Sequence, residues 1–341
     1  MAPMSGWCTA AITLILVLSA VGCGGGHNDD STARRATPTA TTSPPNARVE
    51  TDIDQAGAKR IHSKGDWLAA GEGGVWLSAT AVIYRLDPLG GRREATIRVP
   101  QGPCEASDVG FGSVWTATCK TPGLARIDPA TNSVTGHVRL PIPTSLDGEG
   151  SVGAGQGAVW LVTEGPACDR CRVARVNPRT MKTTGHVTVK EGAATVRTGE
   201  GSVWVGNPVE NVVQQIDPAT MKVTRTIKTG DTPRFLDVGE GAVWILNQSD
   251  GTVTRIDPAT GATASVDAGV SGEGGDLTVG GGSVWARGTD KLLTRIDPDK
   301  NAVSERYGPP SGSGAVIVND GAVWLSAHDI NTVWRLPLAT H

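Results

Sequence analysis

The stretch GEGSVWV (residues 199–205), followed by QIDPAT (residues 215–220), is one copy of a pattern that recurs along the chain. Its common form is Gly-x-Gly, a small residue, Val and Trp, then a variable stretch and a motif close to Arg-Ile-Asp-Pro-Ala-Thr. Gaps of 39, 45, 44, 40, 41 and 39 residues separate its tryptophans, which are Trp76, Trp115, Trp160, Trp204, Trp244, Trp285 and Trp324. Repeats of about 40–50 residues with strand-like content are typical of β-propeller blades. The sequence therefore predicts seven blades.

Each repeat carries signals for four short strands. In the fifth repeat, apolar segments at 235–238, 243–246 and 253–256 are separated by glycine-rich and Asp-Pro turns, and an outer strand follows. We therefore expect an all-β, seven-bladed β-propeller with four-stranded blades. The seventh repeat ends before its fourth strand, and Val49 and Ile53 have the spacing seen in other outer strands. We expect residues 48–54 to supply that strand, so that the N-terminal strand closes the last blade.

The repeated tryptophan has two explanations. Both faces of a propeller blade pack against neighbours, so a large ring on the second strand can fill the space between blades. Alternatively, the seven rings form a ligand platform. The strict period favours packing, because a binding site rarely needs seven equivalent groups. Packing also accounts for ten Trp beside only two Tyr and two Phe.

The N-terminus resembles a bacterial lipoprotein signal peptide over residues 1–22. Residues 10–21 are apolar but shorter than the roughly 20 residues that span a bilayer. Small residues precede Cys23, as in a lipobox, which predicts a lipid on Cys23; a plain secretory signal is the alternative. Residues 23–47 are rich in Gly, Thr, Ser and Pro and predict a flexible tether, with the propeller over 48–341. The expected location is the extracytoplasmic side of the cell membrane.

Four cysteines remain after the predicted signal peptide and lipid site. If the hairpin of the second repeat turns at residues 111–112, Cys104 and Cys119 lie opposite each other, which predicts a disulfide in an exported protein. Cys168 and Cys171 form a CxxC motif in a predicted loop, for which we expect a short structural disulfide. A redox motif and a four-cysteine zinc site are the alternatives.

The loops between second and third strands and the connections between blades share one face of a propeller, where ligands usually bind. Ten polar or charged residues are expected near that face or the channel mouth: His62, Glu164, Asn207, Arg234, Asn247, Gln248, Asp276, Arg287, His328 and Asp329. A histidine beside an aspartate is suited to acid–base chemistry, although an exposed loop pair is the simpler explanation. The sequence shows no convergent catalytic set, so no catalytic residue, metal ligand or cofactor is assigned.

The charge balance makes nucleic acid a poor partner. The net charge is −3, the isoelectric point is near 6.1, and no predicted face concentrates Lys and Arg. Phosphate binding depends on such a basic surface. We expect a monomer that contacts the membrane through its lipid and binds an unknown protein or small molecule.

The motifs at 199–205 and 215–220 resemble those of the YncE-like propeller superfamily, which overlaps with the virginiamycin B lyase-like proteins. The resemblance covers residues 48–338 and implies the propeller fold. Members include non-catalytic exported proteins, sensor domains and a metal-dependent lyase that opens streptogramin antibiotics. The catalytic histidine and magnesium site of that lyase match no positions here, so the resemblance transfers no catalytic role.

These observations favour an exported, lipid-anchored, non-enzymatic binding or scaffold module. The alternative is a streptogramin-lyase-like enzyme that acts on a small cyclic substrate at the channel mouth. It requires His328 or His62 within about 4–6 Å of a carboxylate such as Glu164 or Asp276. A quinone-cofactor dehydrogenase would need a channel with arginines, acidic groups and a stacking tryptophan, whereas most tryptophans here are assigned to packing.

Overall fold

Seven β-sheets form the propeller in a computed structural model that describes residues 50–141, 152–163, 171–272 and 274–338. Blades 1 to 5 are β3–β6, β7–β10, β11–β14, β15–β18 and β19–β22; blade 6 contains β23–β26, and blade 7 contains β27–β29 with β2. The strands are β1 Thr51–Asp52, β2 Lys59–His62, β3 Leu68–Gly71, β4 Gly74–Ala79, β5 Val82–Leu86, β6 Arg93–Arg98, β7 Pro103–Gly110, β8 Ser113–Thr118, β9 Gly123–Asp128, β10 Ser133–Arg139, β11 Val152–Gly155, β12 Ala158–Thr163, β13 Arg172–Asn177, β14 Lys182–Thr188, β15 Thr195–Gly199, β16 Ser202–Asn207, β17 Val212–Asp217, β18 Lys222–Lys228, β19 Pro233–Gly239, β20 Ala242–Asn247, β21 Thr252–Ile256, β22 Thr263–Asp267, β23 Asp276–Val279, β24 Val284–Arg287, β25 Leu293–Asp297, β26 Ala302–Gly308, β27 Val316–Asn319, β28 Ala322–Ala327 and β29 Thr332–Pro337.

The first strands of the blades form an inner ring, because β3, β7, β11, β15, β19, β23 and β27 each contact the next and β27 contacts β3. This confirms the predicted closed seven-bladed propeller. Within the described ranges, the only helical segment is a 3₁₀ turn at His328–Ile330. No helix among the residues described is long and apolar enough to cross a membrane.

The N-terminal segment closes the last blade, as predicted, but the predicted residues were wrong. The outer strand of blade 7 is β2, which pairs antiparallel with β29 and places Lys59 opposite Arg335. In contrast, β1 adds a parallel fifth strand to blade 6, with Thr51 beside Tyr307. The apolar spacing was misleading because Ile53 is an anchor: it is fully buried in a cluster with Trp285 and with Trp334 of blade 7.

The tryptophan of every repeat lies in the core, at 0–1% exposure, which confirms the packing role. Six indoles also donate a hydrogen bond from Nε1 to the carbonyl of the glycine five residues earlier. The bonds, 2.9–3.3 Å long, join Trp76 to Gly71, Trp115 to Gly110, Trp160 to Gly155, Trp204 to Gly199, Trp244 to Gly239 and Trp285 to Gly280. Blade 7 has Asn319 at this position, and Trp324 Nε1 has no partner among the residues described.

These glycines also set the distance between neighbouring blades. A Cβ atom on Gly199 would lie 2.5 Å from Val238 of the next blade. The corresponding distance is 2.8 Å from Gly71 to Val109. Real Cβ atoms essentially never approach so closely, so the inner strands pack at this separation only because glycine lacks a side chain.

The Cys104–Cys119 disulfide is present, with its Cα atoms 5.3 Å apart. The strands around it are less regular than predicted. Ser107 pairs with Thr116 as expected, but the register shifts between Ser107 and Pro103, so the disulfide crosses an irregular part of the hairpin. Cys171 is buried, and its predicted partner Cys168 lies outside the described residues, as does Cys23.

Candidate functional site

The inner strands surround a cavity of about 180 Å³ on the propeller axis. Strand pairing explains which side chains belong to this ring. One residue of each first strand lies opposite the tryptophan of its own blade; these residues are Ala69, Asp108, Gly153, Arg197, Asp237, Thr278 and Ile317. All but Gly153 line the cavity, together with Trp67 and Asp276. Its charged groups are therefore three aspartates and one arginine.

The Asp108 carboxylate joins two neighbouring blades. Its Oδ1 accepts a hydrogen bond from the amide of Val109 at 2.8 Å, in its own strand. Its Oδ2 accepts one from the amide of Ala154 at 2.6 Å, in the first strand of the next blade. The innermost strand has no hydrogen-bonded neighbour in its own sheet on this side, so the carboxylate satisfies amides that the sheet leaves unpaired.

Two further aspartates repeat this arrangement. Asp237 accepts hydrogen bonds from the amides of Val238 at 2.8 Å and of Val279, in blade 6, at 2.9 Å. Asp276 accepts from the amide of the following residue at 2.8 Å and from Val316, in blade 7, at 3.0 Å. The channel carboxylates therefore act as bridges between blades.

Arg197 supplies the positive charge of the channel. It donates hydrogen bonds to the carbonyls of Val152 and Val196, both at 3.0 Å, and its guanidinium lies 5.7 Å from the ring centre of Trp67. Burial raises the pKa of all three channel aspartates, and that of Asp276 to about 7, while Arg197 lowers each of them. The arginine thus offsets part of the cost of placing three carboxylates around one cavity.

A second charged cluster lies where blade 7 meets the start of blade 1. His328 Nδ1 is 3.0 Å from Asp66 Oδ2, and His328 Nε2 is 2.6 Å from Asp329 Oδ1. His328 is about two-fifths exposed, at 41% of its side chain. His328 and Asp329 were predicted from the sequence to lie near the face where ligands usually bind or the channel mouth, whereas Asp66 was not. The available signal for Asp66 was its position beside Trp67, in the connection that leads into the first blade.

Arg287 connects this cluster to the channel. It is fully buried, and it donates from Nη1 to the Ser326 carbonyl and from Nη2 to the Gly312 carbonyl, the latter at 2.7 Å. Burial lowers its pKa to about 10, while Asp66, Asp276 and Asp329 act in the opposite direction. Arg287 also lies directly opposite Asp276 in the pairing of β23 with β24.

The predicted asparagines support loops. Asn207 is buried; its Oδ1 accepts from the amides of Val209 and Glu210 at 3.1 and 2.9 Å, and its Nδ2 donates to the Glu191 carbonyl at 2.6 Å. Asn247 is also buried and donates to the hydroxyl of Thr254 at 2.9 Å. The Asn207 side chain therefore fastens loops to its blade, whereas that of Asn247 joins the end of β20 to β21.

The remaining predicted residues do not join a common site. Gln248 is buried at 7% exposure, and the Arg234 guanidinium lies 5.5 Å from the ring centre of Phe235. His62 is exposed at the end of β2, the outer strand of blade 7, rather than in a connection before blade 1. Glu164 lies outside the described residues.

The enzyme hypothesis requires a histidine close to a carboxylate, and the structure contains such a pair, although with other carboxylates than expected. His328 lies close to carboxylates, but these belong to Asp66 and Asp329 and not to the expected Glu164 or Asp276. Among the residues that the structure describes, no group of three or more His, Cys, Asp or Glu side chains is placed to hold a metal ion.

Comparison with known proteins identifies the fold alone. No protein-family model matches the chain, and no curated protein matches it in sequence. The solved structure of BamB from Moraxella catarrhalis is similar with a TM-score of 0.56 and 10% identity, over 80% of this chain and 83% of that one. A chain of the Mitotic Checkpoint Complex is similar with a TM-score of 0.67 and 11% identity, over 92% of this chain and 100% of that one. A chain of Kuenenia stuttgartiensis hydrazine synthase is similar with a TM-score of 0.64 and 14% identity, over 88% of this chain and 100% of that one. The chain therefore shares the β-propeller fold with proteins of very different sequence.

Proposed function

We propose that this protein is a lipid-anchored, non-enzymatic binding module on the extracytoplasmic side of the membrane, with its ligand at the loop face. We define the loop face by the loops between second and third strands and the connections between blades. The proposal depends on one observation: both ring nitrogens of His328 contact carboxylates of the protein itself. A general base needs a nitrogen free to take a proton from a substrate. The strongest acid–base candidate is thus already engaged within the protein.

The channel supports the same conclusion. The Asp108, Asp237 and Asp276 carboxylates each accept hydrogen bonds from two neighbouring blades. Groups that resemble a catalytic set therefore contribute to the assembly of the ring. A rigid ring that presents variable loops is suited to recognition, and a protein partner agrees with the presence of a similar propeller in the Mitotic Checkpoint Complex.

The anchor rests on the sequence around Cys23 and on the tether at 23–47. We expect the wild-type protein to incorporate an alkyne fatty acid and to fractionate with membranes. Cys23→Ser should abolish labelling and release the protein, because one thiol carries the diacylglycerol. Cys8→Ser, inside the predicted signal peptide, is the matched control. Labelling that survives in Cys23→Ser would contradict the anchor.

The loop face can be tested by photo-crosslinking in cells. Val209, at 64% exposure in blade 4, and Ile330, at 48% in blade 7, lie in loops between second and third strands. Leu89, at 71% exposure, lies in the turn between third and fourth strands, on the opposite face. We expect a discrete crosslinked product from the first two positions that excess soluble propeller suppresses. Equal crosslinking from Leu89 would refute the assignment of the face.

The lyase-like alternative is favoured by one observation, the short distances from His328 to two carboxylates. Mass spectrometry of a cyclic streptogramin B incubated with the protein and Mg²⁺ distinguishes the two functions. The binding proposal expects no ring opening. Ring opening by the wild type that is lost in His328→Gln would establish the enzyme instead.

A further inference from the structure

The seam between blade 7 and blade 1 differs from the other six seams. As at the other seams, the chain crosses it from an outermost strand, β2, to an innermost strand, β3, here through residues 63–67. Trp324 of blade 7 lacks the indole hydrogen bond that the other six repeats make, within the described part of the chain. The glycine that accepts that bond elsewhere is replaced by Asn319. The first hairpin of blade 7, which borders this seam, therefore lacks a hydrogen bond that the other blades have within theirs.

The two carboxylates that contact His328 are attached to different parts of this seam. Asp66 donates its amide to the Ser78 carbonyl of blade 1 at 2.9 Å. Asp329 accepts the amide of Ser313, in the connection that enters blade 7, at 3.0 Å. His328 lies between them and contacts both. Its imidazole therefore joins the segment that enters blade 1 to the loops of blade 7.

From this geometry we propose that His328 is a proton-dependent latch that holds the propeller closed at the seam between its first and last blades. A carboxylate accepts hydrogen bonds, so each contact requires an N–H on the ring. The imidazolium has two N–H groups, whereas neutral imidazole has one. Loss of the proton removes one of the two contacts and leaves the Asp66 and Asp329 charges without the histidine's positive charge. The latch is closed at acidic pH and weakens as the pH rises.

Other charged groups next to the latch define the controls. Arg287 of β24 interacts with Asp66 and Asp329 at every relevant pH, because its pKa remains near 10. Asp276 of β23 interacts with Arg287, and its pKa of about 7 lies within the range where histidines change charge. The variant Asp276→Asn removes this carboxyl group, so that its change of charge no longer overlaps with that of a histidine. His62→Gln removes an exposed histidine of the same N-terminal segment.

Hydrogen exchange tests the latch in the full-length protein at about pH 5.5 and about pH 8.5, with intrinsic rates corrected. In the wild type we expect amide protection over 59–66 and 322–334 to fall about tenfold at the higher pH, the size expected for one charge-assisted hydrogen bond. His328→Gln should show the lower protection at both pH values. His62→Gln and Asp276→Asn should keep the wild-type change, which is measured relative to β17 in blade 4 because the ionisation of Asp276 also lowers the global free energy of unfolding as the pH rises.

Three results would overturn the latch: equal protection of the wild-type seam relative to β17 at both pH values, persistence of that relative change in His328→Gln, or its loss in Asp276→Asn. If His328→Gln does not fold, Asp329→Asn provides the second test. It preserves side-chain shape and removes the charge, so the pH-dependent change should shrink. An unchanged response in that variant would also reject the proposal.

Discussion

Each tryptophan of the repeat fills the space between two blades and, in six repeats, satisfies a glycine carbonyl. Trp160 and Trp324 separate these two contributions. Both rings are fully buried and both lie 5.9 Å from an arginine guanidinium, that of Arg175 or Arg335. Only Trp160 donates its indole hydrogen bond, to Gly155 at 3.0 Å. The pair therefore differs mainly in one partly buried hydrogen bond.

We expect Trp160→Phe to lower the free energy of unfolding by about 1 kcal/mol more than Trp324→Phe, because it leaves the partly buried Gly155 carbonyl without its donor. Urea denaturation of the two variants and the wild type measures the difference. If both variants lose the same free energy of unfolding, the indole hydrogen bond makes no net contribution to stability. Trp160→Ala should cost more, about 3–5 kcal/mol, because it also leaves a cavity.

Asp276 makes stability depend on pH. Its folded-state pKa of about 7 is raised from the ordinary 3.8, so the folded protein retains a proton that the unfolded chain has lost between these values. The free energy of unfolding should therefore fall as the pH rises from about 4 to about 7, by up to about 1.4 kcal/mol per pH unit. Urea midpoints across this range should show a shallower decline for Asp276→Asn. The exposed control Asp299→Asn should retain the wild-type slope.

At the level of the strand, a glycine at the end of the first strand of six blades allows neighbouring blades to approach. Gly199 packs against Val238 at a distance that excludes a methyl group. Strand propensity does not explain glycine at this position, because glycine is unfavourable in strands. The inter-blade contact explains its use.

We predict that Gly199→Ala lowers the free energy of unfolding by about 1–3 kcal/mol, the usual cost of overpacking. Val238→Ala in the same protein should recover part of that loss, because it removes the Cγ1 atom that the new methyl group meets at 2.5 Å, whereas the Cβ atom at 2.7 Å remains. A double-mutant cycle by urea denaturation measures the coupling. Strictly additive effects would rule out this explanation.

At the scale of the whole molecule, closure depends on an N-terminal segment that contacts two blades. Ile53 is buried with residues of blades 6 and 7, and β2 then covers the edge of β29. Without β2, the edge of blade 7 would expose unpaired backbone groups, which promotes association between chains.

Two truncations distinguish the roles of the two N-terminal strands. A chain that begins at residue 58 keeps β2 but loses β1 and Ile53, and should remain a monomer with a lower melting temperature. A chain that begins at residue 64 loses both strands and should associate or aggregate. Size-exclusion chromatography and thermal melting measure both outcomes. A monomeric, equally stable chain from residue 64 would contradict the closure role of β2.

Much of the architecture was predictable because its signals are local and repeated. The spacing of the tryptophans determined the number of blades, and the short hairpin between Cys104 and Cys119 determined their pairing. Turn residues placed the strands of the fifth repeat within about two residues of their observed limits, because hairpin geometry depends on neighbouring residues.

The repeat, the four-stranded blade and the closed ring thus follow from local patterns in the amino-acid sequence. The identity of the N-terminal strand that closes the ring, and of the carboxylates that contact His328, depends on packing in three dimensions. Ile53 has the spacing of an outer strand but serves as an anchor between blades, a difference that depends on its packing partners. Asp66 and His328 lie at opposite ends of the propeller sequence, and closure of the ring brings them together. No local pattern encodes such a contact, because it arises from the sum of the rotations between all seven blades.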